Sequence, residues 1–165
     1  MAKIIDISGK EQTVKCIACE IQSGKLKLPI ERIAKTKNFV VEQDFEWPIE
    51  GFLIIVSKRH IHSIEEFNKE EEKEFIQVIK RSRQIMSEVL GVKKITIVQE
   101  EDSSTSHFHM WLFPWHDWMK ENIGSKLKDI KDIMNYSKKN FSSQKDLDQI
   151  KKSNQNTQFR DFKIS

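Results

Sequence analysis

Cysteine is nearly missing from this chain: 165 residues hold two, Cys16 and Cys19. In a reducing compartment a structural disulfide is not expected, and the Cys-x-x-Cys spacing suits chelation or a redox dithiol instead. Long apolar runs are also absent. The start, M-A-K-I-I-D, has neither the length nor the hydrophobicity of a signal peptide or a membrane span. No membrane partner and a cytoplasmic address are therefore expected. Basic residues never stand more than two in a row, and no internal repeat is visible. From Trp115 onward 11 Lys and Arg face 7 Asp and Glu, so the net charge of +3 is concentrated in the tail. An excess of that size fits a solvated helix surface better than a nucleic-acid interface.

What is present belongs to a globular protein. A hydrophobic content of 38% and a charged content of 32% exclude disorder, and the length suits one compact domain with a tail.

The chain is organised around 103–114, S-S-T-S-H-F-H-M-W-L-F-P. Alternation puts His107, His109, Trp111 and Phe113 on one face of a strand and Phe108, Met110 and Leu112 on the other. The second face is apolar and should pack on a core. The first carries two imidazoles roughly 6.6 Å apart along the strand, followed by aromatics that either stack a ligand or join a core.

Residues 1–15 read as a frayed extension. Short strands are expected at 31–34 and 39–42, and the run 51–57 reads as a central strand. Between 63 and 90 apolar residues repeat at helical spacing, with Asn68 and Glu71 forming a capping box and Gly91 the stop. A β-branched strand at 94–100 should pair antiparallel, across a short polar connection at 101–106, with the strand that begins at His107. The acids Glu100, Glu101 and Asp102 between them are either a cation site or a solvated turn. Beyond Pro114 the pattern is helical, and the last dozen residues look loosely ordered. His62 and His116 are expected at the surface.

Three stretches, C-I-A-C-E-I, G-F-L-I-I-V-S-K-R-H and H-F-H-M-W-L-F-P, together resemble the histidine triad (HIT) nucleotide-binding proteins, over about residues 15–114. The resemblance implies an α+β fold: an antiparallel sheet of about five strands with one long helix packed on it, usually as a homodimer. It divides the chain into an N-terminal extension (1–14), a HIT-like domain (15–118) and a helical C-terminal extension (119–165).

The same resemblance implies a nucleotidyl hydrolase or transferase acting on a nucleoside phosphate or dinucleoside polyphosphate. His109 matches the histidine that attacks the α-phosphate and carries the covalent intermediate. Ser103, Ser104 and Ser106, with His107 and Trp111, are the residues expected at the substrate. Cys16, Cys19, His60 and His107 match the ligands of a structural zinc. Two positions depart from the pattern: Trp111 replaces the third histidine, and Phe52 the histidine usual before the central strand. An indole N–H cannot accept a hydrogen bond, so a zinc-containing nucleotide-binding module without turnover is the alternative.

Overall fold

The computed structural model describes residues 2–5, 10–44, 46–101, 106–155 and 162–164. In chain order the elements are β1 (Ala2–Ile5), β2 (Glu11–Val14), α1 (Ile17–Gln22), β3 (Ala34–Lys35), β4 (Phe39–Gln43), β5 (Leu53–Ser57), α2 (Lys69–Leu90), β6 (Lys94–Gln99), β7 (His109–Trp115), α3 (Asp117–Asn122), α4 (Ile130–Asn140) and α5 (Gln144–Asn154). Strands β3-β4-β5-β7-β6 form one antiparallel sheet. The expected α+β fold with a five-stranded antiparallel sheet and a long helix is therefore present. No described helix is long and apolar enough to cross a membrane.

Alternation along the strands gives the sheet two different faces. Phe39 and Val41 of β4, Leu53 and Ile55 of β5, and Phe108, Met110 and Leu112 point to one side, where α2 covers them with Phe75, Val78, Ile85 and Met86. Phe39, Phe67, Phe75 and Phe108 interlock there with ring centroids 4.7–5.4 Å apart. Each fully buried side chain of this size contributes about 1.5–3 kcal/mol. Helix α2 starts where Asn68 accepts from the Glu70 and Glu71 backbone N–H groups while Glu71 accepts from that of Asn68. It ends at Gly91, whose φ of 63° suits glycine. Buried Glu74 accepts from both the backbone and the side chain of Asn38, pinning α2 to the β3–β4 turn.

On the opposite face, Phe52 and Phe113 lie under Met119 of α3 and Ile130, Ile133 and Met134 of α4. Helices α3 and α4 thus cover one end of that face, while α5 packs through Leu147 and Ile150 on Ile30. Phe52 is fully buried and packs edge-on against Phe113 at 5.2 Å and Trp111 at 5.6 Å. Phe52→Ala should cost about 3–5 kcal/mol and lower the thermal midpoint by roughly 10 °C, measurable by scanning calorimetry.

Several expectations need correction. Residues 2–5 and 11–14 pair as a hairpin rather than fraying. The first sheet strand is Ala34–Lys35 rather than 31–34, because Arg32 is drawn to Glu42 and only Ile33 caps the ladder, its N–H donating to the Val41 carbonyl. The strand expected from His107 starts at His109 and runs on to Trp115. At the far end Phe162 and Ile164 pack against the main core, so the tail does not run loose there.

Candidate metal centre and adjoining cavity

Cys16 stands just before α1, in extended conformation, and its Sγ accepts from the Cys19 N–H. The first helical turn therefore brings the two sulfurs to one side. His60 follows β5 and His107 precedes β7, and strand pairing sets them side by side. The four donor atoms lie within 4.8 Å of one another. Cys16 Sγ is 3.6 Å from His60 Nδ1 and 3.4 Å from His107 Nδ1, Cys19 Sγ is 3.2 and 3.5 Å from the same atoms, and the two Nδ1 atoms are 3.1 Å apart. A tetrahedral zinc with ordinary bond lengths requires S···N edges of about 3.5 Å and an N···N edge of about 3.3 Å. The donor set and its geometry fit a closed, structural zinc site.

Neighbouring groups set these ligands in the form a metal needs. His107 Nε2 lies 2.7 Å from the Ser57 carbonyl; an N–H donated there leaves Nδ1 with a lone pair for the metal. Burial holds the His107 imidazole below its ordinary pKa, which favours the neutral, ligating ring. Burial and the adjacent Cys16 push the Cys19 thiol up to about 11, so loading a metal must displace its proton.

Beside the metal centre lies a cavity of about 300 Å³, bounded by α1, β4, β5 and β7. His109 opens into it. Its Nδ1 is 2.9 Å from the His107 carbonyl; in the neutral ring that nitrogen carries the N–H it donates, and Nε2 keeps its lone pair. Ser106 lines the cavity as well, and its carbonyl is 2.5 Å from His62 Nδ1. Ser103 and Ser104 lie outside the described residues.

Trp111 forms an aromatic wall with Trp47, 5.8 Å away and edge-on, and with Phe52 behind. The two departures from the triad pattern are thus neighbours, one apolar cluster standing where two polar rings were expected. His62 and His116 are half-buried rather than superficial: besides the His62 contact, His116 Nε2 meets the Glu50 carbonyl at 2.8 Å. Glu101 accepts from Ser63 Oγ and the Ile64 N–H, tying down the turn before α2. Asp102 lies outside the described residues.

Sequence reasoning missed the acidic wall. Glu42 and Asp44 line the cavity with Glu46. Two acids at i and i+2 in an apolar strand share one face, and that was the available signal. Each is partly neutralised. Glu42 meets Arg32 Nε at 2.6 Å, although burial, the larger influence, raises its pKa. Glu46 lies 3.5 Å from Lys138 of α4. Burial pushes Asp44 up to about 7 against the pull of the Glu46 and Trp47 N–H groups. An acid raised this way binds its proton more tightly folded than unfolded, so stability falls as pH rises from about 4 to about 7. Asp44→Asn keeps the acceptor oxygen, and it should raise the thermal midpoint at pH 8 but scarcely at pH 4, as read by melting curves across that range.

No protein-family model matches the sequence, nor does any curated protein. Solved structures do match. A hypothetical protein from Leishmania major superposes with a TM-score of 0.57 at 20% identity, covering 75% of this chain and 94% of that one. A zinc-bound histidine triad family protein from Mycobacterium smegmatis gives 0.56 at 17% identity, with 84% and 92% covered. A HIT family member from Bacillus subtilis gives 0.54 at 18%, with 79% and 99% covered. The chain has the histidine triad fold. Within that fold His109 and Trp111 stand on β7 facing the cavity, and the Cys16, Cys19, His60 and His107 cluster closes its N-terminal side. The α3–α4 layer over Phe52 and Phe113 completes the other end of the same face.

Proposed function

We infer that the chain is a zinc-containing histidine triad protein that binds a nucleoside phosphate in the cavity and cleaves it at the α-phosphate, as a hydrolase or transferase. The observation that carries this reading is His109: an imidazole held through Nδ1 to a backbone carbonyl on the wall of a cleft large enough for a ligand. An unprotonated Nε2 can donate its lone pair to phosphorus while the leaving group departs with the electrons of its own bond to phosphorus. The hydroxyl of water or another acceptor then attacks phosphorus and releases its proton to solvent, and the P–N bond breaks with its electrons returning to Nε2, which leaves the ring neutral. Ser106 and Lys15 are the lining groups suited to phosphate oxygens, and the carboxyl oxygens of Glu42 on β4 and Asp44 just after it suit hydroxyl donors. Zinc would supply no chemistry to this step; it would hold His107, and through the His107 carbonyl the His109 ring.

Incubation with a panel of nucleoside phosphates and dinucleoside polyphosphates, with intact mass measured during turnover, tests the reading. A gain of one nucleotidyl group mapped to His109 is the expected result, and product formation without any dependence on His109 would overturn it. A second reading is favoured by Trp111 and Phe52, which leave no acceptor at two positions where the triad pattern has imidazoles. On that reading the chain binds nucleotides without turnover, and calorimetry would show binding with no product.

A further inference from the structure

Helix α1 is attached to the body of the protein in an unusual way. It has six residues, too few to be stable in isolation. Its apolar side chains, Ile17 and Ile21, pack with Leu26 and Leu28 in a satellite cluster separate from both faces of the sheet. Among the described residues, the side-chain ties from this segment to the sheet are two. One is the sulfur–imidazole set joining Cys16 and Cys19 to His60 and His107. The other is Gln22 Nε2, which donates to the Ser57 carbonyl at 2.8 Å. That carbonyl is also the partner of His107 Nε2, so both ties converge on the same two strand ends. Yet Ile17, Ala18 and Ile21 form one wall of the cavity, across from Ile54, Val56 and His109.

We propose that the metal held by Cys16, Cys19, His60 and His107 is the clamp that keeps α1 in place as a cavity wall, so that metal and nucleoside phosphate bind with positive coupling. This rests on the reading of the cavity as a nucleotide site. Four bonds to one ion fix the helix against the sheet. Without the ion, two thiols and two imidazoles crowded within 4.8 Å give little reason for the segment to stay ordered. A ligand that fills the cavity would then have to order 16–22 at its own expense. By linkage, the factor by which metal tightens the ligand equals the factor by which ligand tightens metal.

The test uses the full chain, zinc-loaded and chelator-stripped, with adenosine 5′-monophosphate as the probe. Hydrogen exchange should show the amides of 17–22 passing from protected to near open-chain rates on stripping, while those of β5 and α2 stay slow. Binding of the probe should weaken by tenfold or more on stripping, and at equilibrium with a competing chelator the probe should raise the protein's affinity for zinc by the same factor. Unchanged protection of 17–22 would overturn the proposal, as would loss of protection in the sheet together with α1, or equal probe affinity in both forms. If the probe binds neither form, the functional reading fails, and the exchange of 17–22 relative to β5 decides the clamp by itself.

Discussion

His109→Ala is expected to lower turnover of a nucleoside phosphate by roughly 10³-fold or more while changing probe affinity far less. The expectation follows from the ring's placement. Nδ1 is committed to the His107 carbonyl, so Nε2 is the atom free to meet phosphorus, and the backbone that orients the ring belongs to a residue of the metal cluster. Alanine removes the nucleophile and leaves the cavity walls of α1, β4 and β5 in place. Steady-state rates and calorimetric affinities for wild type and variant measure the two effects separately. Equal turnover by both proteins would exclude His109 as the nucleophile. A parallel loss of binding and rate would assign the imidazole to ligand contact instead.

The parts of this site that could be read from the sequence are those carried by rare residue types at fixed spacing. The Cys-x-x-Cys pair alone is a weak signal, and it is the resemblance to the histidine triad pattern that joins it to His60 and His107 as one ligand set. The register then brings them together: Val56 opposite His109 and Ile55 opposite Met110 place the ends of β5 and β7 side by side. Helix α2 was equally legible, since Asn68, Glu71 and Gly91 mark its ends by local hydrogen bonding and backbone preference.

What could not be read depends on contacts between distant segments. Glu42 and Asp44 look like ordinary strand-end acids until burial makes them a cavity wall. Trp111 and Phe52 are separate departures in sequence, but Ile54 pairs with Trp111 across the β5–β7 ladder, so Phe52 is its diagonal neighbour on the same face. Their substitution is one event in space: an aromatic layer that α3 and α4 then cover. The same layer explains why Phe113, which lies on the imidazole face and was open to either ligand stacking or core packing, is buried in a second core. The alternation was correct, and the face changes character between Trp111 and Phe113.

Removing the metal should have the second large effect. A closed Cys₂His₂ set binds zinc only in the folded state, so an ion present at about a thousand times its dissociation constant stabilises the fold by roughly 4 kcal/mol. For a chain of this length that corresponds to a thermal midpoint lower by roughly 10 °C in the stripped protein. Cys19→Ser should reproduce most of the loss without a chelator, because a hydroxyl is a poor replacement for thiolate at zinc. His60→Ala removes a ligand from the exposed side and should behave similarly, whereas His62→Ala, whose ring meets the Ser106 carbonyl and the His60 ring but is outside the four-ligand set, should leave metal content intact. Acidification works in the same direction as chelation, since protons compete for sulfur and imidazole alike. The stabilisation by added zinc should therefore shrink as pH is lowered, and metal content by mass spectrometry beside melting curves reads both. A midpoint indifferent to chelator, in a protein that retains no metal, would show that the four side chains meet for another reason than zinc.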